Sequence, residues 1–166
     1  FEEINKRWRI YKFLGGLPPL SYENNTPING IVDRIQIIRY PAGGGFLEPH
    51  TDPTQNQRVA MGVLMSERGF HYDQGGFYFV REDGRFLDCE PMLQIGDILT
   101  VFPTVIHGVA AVDPEKELQW PSKEGRWFVG LYSIDSDHIL KRGTSKALGK
   151  EYPSPSPPAD GLRQEF

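Results

Sequence analysis

The sequence predicts a mainly β domain, an antiparallel sandwich or barrel, and two observations carry that expectation. Eighteen glycines and fourteen prolines in 166 residues are too many for a helical bundle and suit a chain that turns often. Between residues 31 and 134 the apolar residues come in short runs rich in Val, Ile, Phe and Tyr. Turn-forming stretches separate the runs, which is the pattern of successive short strands rather than of βαβ units.

Before the strands, Phe1, Ile4, Trp8 and Tyr11 recur at helical spacing with Glu2, Glu3, Lys6 and Arg7 between them. This predicts an amphipathic helix over 1–14, ended by Gly15-Gly16 and Pro18-Pro19. Residues 20–30 read as a loop. The expected strands are Ile31–Arg39, Leu47–Asp52, Arg58–Met65, Gly76–Val80, Ile98–Phe102, Ile106–Val112 and Arg126–Ile134. The breaks between them are Pro41–Gly45, Ser66–Gly75, Glu82–Gly84, Gly96-Asp97 and Asp113–Gly125. After residue 135 the pattern fades. Ile139–Gly149 is expected to form a short helix, and Glu151–Phe166, with Pro153, Pro155, Pro157 and Pro158, an extended arm. The length fits a single domain: a core over about 31–135, the helix 1–14 and a C-terminal arm 136–166.

Net charge is −4 with a pI near 5.6, and the Lys and Arg residues are scattered. That is not the footprint of a general nucleic-acid binder. No apolar run approaches the roughly 20 residues that span a bilayer, so no membrane association is expected. A single cysteine, Cys89, rules out an internal disulfide framework and fits a reducing, cytoplasmic setting. Its expected place is half-buried on a strand. The chain begins at Phe1 rather than Met, so the absence of a targeting segment carries little weight.

The strongest chemistry lies in Glu48-Pro49-His50-Thr51-Asp52-Pro53. Side chains alternate faces along a strand, so His50 and Asp52 point one way and Thr51 the other. An imidazole and a carboxylate on one face offer two adjacent ligands to a divalent metal, and a third must come from a neighbouring strand. His107 is the candidate, because it sits in an otherwise apolar run where an unpaired imidazole is costly to bury. Two histidines and one carboxylate leave open positions opposite them, as in non-haem iron(II) oxygenases. A lone His-x-Asp arises often by chance. His71 and His138, with no carboxylate partner at strand spacing, read as structural histidines.

In the strand that Arg126 opens, Arg126, Phe128, Gly130 and Tyr132 share one face; Trp127, Val129 and Leu131 share the other. Facing inward, Arg126 needs an anion, and its fixed fork suits one end of a dicarboxylate. A surface position, or a salt bridge to Glu124 or Asp97, is the alternative.

These elements, taken in order, resemble the 2-oxoglutarate- and iron(II)-dependent dioxygenases, most closely the prolyl 4-hydroxylase-like branch. The resemblance covers about residues 37–134. It rests on Tyr40-Pro-Ala-Gly-Gly-Gly-Phe-Leu-Glu-Pro-His50-Thr-Asp52, Gln74-Gly75-Gly76-Phe77-Tyr78-Phe79, Gly96-Asp97-Ile98-Leu99-Thr100-Val101-Phe102, His107-Gly108-Val109 and Arg126. It implies a double-stranded β-helix, a jelly-roll or cupin-like barrel with flanking helices. It also implies Fe(II) held by His50, Asp52 and His107, with Arg126 binding the distal carboxylate of 2-oxoglutarate. Tyr40 matches a tyrosine that often hydrogen-bonds the cosubstrate, or is a packed aromatic at a strand end. Met65 or a neighbour falls where some members carry a second such tyrosine, which leaves the polar partner of Arg126 unassigned. Asp113–Gly125, with Trp120-Pro121, reads as an enlarged hairpin loop.

The expected activity consumes O₂ and 2-oxoglutarate, releases succinate and CO₂, and hydroxylates a C–H bond. The substrate is an amino-acid-like small molecule or a peptide residue, and Ser66–Gly75 and Asp113–Gly125 are expected to frame the pocket mouth. Two other readings fit the same residues. One is a cupin-type metalloenzyme that uses no 2-oxoglutarate; the other is a non-catalytic jelly-roll binding module.

Overall fold

The computed structural model describes residues 2–14, 30–55, 57–136 and 146–147. Its described part is mainly β, built from two antiparallel sheets. Helix α1 spans Glu2–Leu14. The strands are β1 (Ile31–Pro41), β2 (Gly45–Thr51), β3 (Ala60–Leu64), β4 (Gly76–Val80), β5 (Phe86–Asp88), β6 (Ile98–Val101), β7 (His107–Val112), β8 (Gly125–Asp135) and β9 (Lys146–Ala147). A single 3₁₀ turn, Glu90–Met92, follows β5.

One sheet has the order β1-β8-β3-β6 and the other β5-β4-β7-β2-β9. The longest pairing is β1 with β8, where Tyr40 lies opposite Arg126, Ile38 opposite Phe128 and Gln36 opposite Gly130. Alternation then decides both faces of the first sheet. On the outer face Met61 and Leu131 meet Trp8 of α1, with Tyr11, Ile35 and Ile98 packed around them. On the inner face Tyr40 joins Tyr72, Phe77, Cys89, Val109 and Val112 to form the core between the sheets, flanked by Ile38, Leu99 and Phe128. The expected helix therefore covers one sheet, and the second sheet covers the other side.

Three expected features differ in the structure. Asp113–Gly125 is not a hairpin loop: β7 pairs with β2 and β4, while β8 pairs with β1 and β3. The segment crosses from one sheet to the other. Cys89 is buried, but it caps the 3₁₀ turn instead of lying on a strand; burial pushes its thiol up to about 11. The short helix expected over Ile139–Gly149 is contradicted at Lys146–Ala147, which form a strand on the edge of β2 opposite His50 and Thr51. The rest of that stretch, His138 and the arm Glu151–Phe166 lie outside the described residues.

Candidate functional site

The turn between β1 and β2 starts β2 at the same end of the fold as Arg126. Gly43 and Gly44 both have positive φ, at 92° and 101°, a backbone region that glycine enters without penalty. Gly44 N–H donates to the Val112 carbonyl (2.8 Å) and Gly43 N–H to the Asp113 carbonyl (3.1 Å). The turn is thereby tied to β7, and β2 runs beside β7 until His50 stands opposite His107. Beyond the strand, Asp52 N–H donates to the Pro103 carbonyl (2.8 Å), which fixes the residue that follows the last paired position.

His50, Asp52 and His107 come together, with one potential ligand atom from each lying within 4.8 Å of the others. His50 Nε2 is 3.6 Å from Asp52 Oδ1, and His107 Nε2 is 3.6 Å from Asp52 Oδ2. These separations are too long for hydrogen bonds. Donor atoms bound to one divalent ion at roughly 2.0–2.2 Å lie about 3–3.5 Å apart, so a contraction of a few tenths of an ångström suits a shared ion. His50 Nδ1 lies 2.7 Å from the Glu48 carbonyl, and His107 Nδ1 lies 2.7 Å from the Val105 carbonyl. A carbonyl only accepts, so each Nδ1 carries the proton and each Nε2 turns a lone pair toward the centre. Burial holds the His50 imidazole below its ordinary range, and the neighbouring His107 pushes the same way. The neutral, ligating form is the one favoured. The residues present fit a divalent metal.

The three side chains line a cavity of about 780 Å³ between the sheets. Its floor includes Ala60, Gly62, Leu64 and Phe128, and Tyr40 and Arg126 close one end of the same cavity. Phe46, Pro53, Gln55 and Ser133–Asp135 also line it. Ser66–Gly75 and Asp113–Gly125, expected to frame its mouth, contribute no lining residue. They meet each other instead, where Phe70–Asp73 and Lys116 line a separate, shallower concavity with Ser122–Glu124. His71 stands there as a structural histidine, accepting the Glu67 N–H at 3.2 Å.

Arg126 faces inward, as alternation predicts, and is only 2% exposed. Its partner is neither Glu124 nor Asp97 but Glu90, while Met65 is exposed. The Arg126 Nε donates to Glu90 Oε1. The same oxygen accepts the Phe77 N–H (2.7 Å), and Oε2 accepts the Tyr72 hydroxyl (2.6 Å). Glu90 reaches this position because Gly76, at φ 120°, has no side chain; a Cβ there would overlap the Glu90 Cγ. The ion pair uses Nε and leaves the two terminal nitrogens as the guanidinium's remaining donors. Its Cζ lies 5.4 Å from the centre of the Phe128 ring.

Tyr40 is buried beside this arginine, and its ring lies parallel to Phe128 with centroids 6.1 Å apart. Burial pushes its phenol up to about 12, against the pull of Arg126, so it remains a hydrogen-bond donor. Tyr132 lines the same cavity, and its phenol is also raised, by burial first and then by Tyr40 and Asp52.

Sequence reasoning missed Glu90 and Tyr132. A faint signal existed for Tyr132, which shares a strand face with Arg126. None existed for Glu90. Among the described residues no helix is long and apolar enough to cross a membrane. No family model matches the chain, and no curated protein or solved structure gave a match.

Proposed function

We propose that the protein is an iron(II)- and 2-oxoglutarate-dependent oxygenase on a double-stranded β-helix. It hydroxylates a C–H bond of an amino-acid-like small molecule or a peptide residue, and releases succinate and CO₂. The observation that carries this reading is the His50–Asp52–His107 cluster in the wall of a cavity that also holds Arg126 and Tyr40. Among the described residues no fourth His, Cys or acid joins the cluster. A structural site is closed by four protein ligands, whereas a catalytic one keeps positions for reactants. The two stacked antiparallel sheets are compatible with the jelly-roll form of the fold.

In this reading His50, Asp52 and His107 hold Fe(II), and the bound metal supplies activation of O₂ coupled to decarboxylation of 2-oxoglutarate. The backbone carbonyls of Glu48 and Val105 keep the imidazoles in the ligating tautomer. Arg126 presents its terminal nitrogens to the distal carboxylate, and Tyr40 adds a neutral donor. Phe77, Val109, Leu99 and Phe128 surround the space with apolar surface and exclude water from the reacting end.

One observation favours a second reading. Arg126 already has an anionic partner in Glu90, so it does not require a dicarboxylate to satisfy its charge. A metalloenzyme of the cupin type, using no 2-oxoglutarate, needs only the metal cluster. Assay of purified protein with 2-oxoglutarate, O₂ and Fe(II) decides. The oxygenase reading expects slow succinate formation without substrate, dependent on Fe(II) and abolished in His107→Ala. Metal binding without any succinate supports the cupin reading.

A further inference from the structure

Arg126 lines the cavity and Glu90 does not, so the carboxylate meets the guanidinium from behind, on the side turned away from the ligand space. Both side chains are almost wholly buried. Glu90 is fixed through its main chain as well as its side chain. Its N–H donates to Asp88 Oδ1 (3.1 Å) and its carbonyl accepts the Leu93 N–H (3.1 Å), which pins the start of the 3₁₀ turn. One carboxylate oxygen accepts from the Phe77 N–H and from Arg126 Nε, the other from the Tyr72 hydroxyl. Burial, and then Glu90 itself, raises the Tyr72 phenol, so that hydroxyl keeps its proton and goes on donating. A carboxylate held in this way does not swing aside when another anion approaches Arg126. A ligand carboxylate on the terminal nitrogens is therefore a second anion on one cation.

Resting on the oxygenase reading above, we propose that Glu90 is a built-in counter-anion that competes with the distal carboxylate of the 2-oxo dicarboxylic acid for the charge of Arg126. It acts through the arginine, without touching the ligand, and holds cosubstrate affinity down. Two like charges about 6 Å apart, at an effective dielectric near 20, repel strongly enough to change affinity by roughly tenfold to a hundredfold. The effect is confined to the distal end of the ligand. A 2-oxo acid without the second carboxylate chelates the metal and never meets the repulsion, so Glu90 narrows the preference for dicarboxylates over monocarboxylates. Succinate keeps the distal carboxylate, and the same repulsion favours its departure after turnover.

The test is isothermal titration of the manganese(II)-loaded full chain with 2-oxoglutarate and, separately, with 2-oxopentanoate, which has the same carbon chain and no distal carboxylate. Glu90→Gln removes the charge and keeps the shape, and the Tyr72 hydroxyl can turn to accept from the new amide. Glu90→Gln is expected to bind 2-oxoglutarate roughly tenfold or more tightly than wild type does, and 2-oxopentanoate with unchanged affinity. Without ligand the variant should unfold at a lower temperature than wild type, because Arg126 has lost its counter-charge. Added 2-oxoglutarate should raise its midpoint by more than it raises that of wild type. Unchanged or weaker binding of 2-oxoglutarate in Glu90→Gln overturns the inference and leaves Glu90 purely structural. An equal gain for both acids overturns it as well. Glu90→Asp withdraws the carboxylate by one methylene and should shift 2-oxoglutarate affinity in the same direction by a smaller factor; if Glu90→Gln does not fold, it decides alone. Wild-type and variant proteins that bind manganese(II) but neither acid overturn the oxygenase reading itself.

Discussion

At the Arg126 end of the cavity the charged groups have found counter-charges within the fold. At the other end two imidazoles turn their unprotonated nitrogens toward one carboxylate at 3.6 Å, too far for a hydrogen bond. Glu90 is held by Arg126, Tyr72 and the Phe77 N–H together, so that network is complete without any ligand. His50 and His107 are oriented by backbone carbonyls, and their remaining nitrogens gain little from each other. Loss of a group from the first set leaves a buried charge behind and strikes stability. Loss of a group from the second strikes ligand binding and leaves the fold intact. Polar residues of similar burial thus serve opposite ends, and mutation separates them.

The largest expected effect is Glu90→Ala. Removing one partner of a buried ion pair destabilises a protein by about 3–5 kcal/mol. Urea unfolding of Glu90→Ala should show a loss of that order, with metal affinity in the remaining folded protein little changed. Because Glu90 and Arg126 share one network, the double variant should lose clearly less than the two single losses added. Additivity would mean that the pair contributes nothing as a pair.

The mirror-image result is expected for Asp52→Ala, His50→Ala and His107→Ala. Each should weaken manganese(II) binding by more than the roughly 10–100-fold that loss of an outer-shell partner produces, with the metal-free unfolding midpoint close to wild type. Wild-type affinity in His107→Ala would remove that residue from the cluster's role. Asp52→Gly should abolish hydroxylation in the same way, and near wild-type turnover by that variant would point to another carboxylate.

Arg126→Lys probes the end where the two behaviours overlap. An ammonium keeps the charge beside Glu90 but not the fork. The half-saturation point for 2-oxoglutarate in uncoupled succinate formation should rise roughly tenfold, a loss near 1.4 kcal/mol, while manganese(II) affinity stays put. An unchanged half-saturation point would reduce Arg126 to a purely structural cation.

The smallest effect is expected at Gln57, which lines the cavity and is 6% exposed. Its Oε1 has no hydrogen-bond partner among the described residues. An apolar replacement of similar shape removes a buried unsatisfied acceptor, so Gln57→Leu should stabilise the protein by about 1 kcal/mol in urea unfolding. A clear loss of stability would show that the amide is satisfied after all.

The candidate metal cluster was legible in the sequence because strand periodicity is short-range information. His50 and Asp52 share a face wherever that segment is extended, and an imidazole within Thr-Val-Ile-His107-Gly-Val stands out from apolar neighbours. The inward face of Arg126 followed from the same rule. Glu90 was not legible. It lies in a single 3₁₀ turn, and its contact with Arg126 depends on the space left by Gly76 in β4, a tertiary fact with no local pattern. The crossing of Asp113–Gly125 between sheets leaves no local signal, because strands adjacent in sequence pair more often than not. The same crossing takes the segment away from the cavity, whose lining instead includes Pro53, Gln55 and the end of β8. Tyr132 sits on the predicted face, but the placement of its ring over Gly130 is a tertiary fact with no local pattern.

The most direct test of the central claim is anaerobic titration of the iron(II)-loaded protein with 2-oxoglutarate, followed by visible absorption. The account predicts a weak charge-transfer band of the iron–2-oxoglutarate chelate that saturates with added 2-oxoglutarate and is absent in His107→Ala. Iron(II) bound at the cluster with no such band at any 2-oxoglutarate concentration would contradict it.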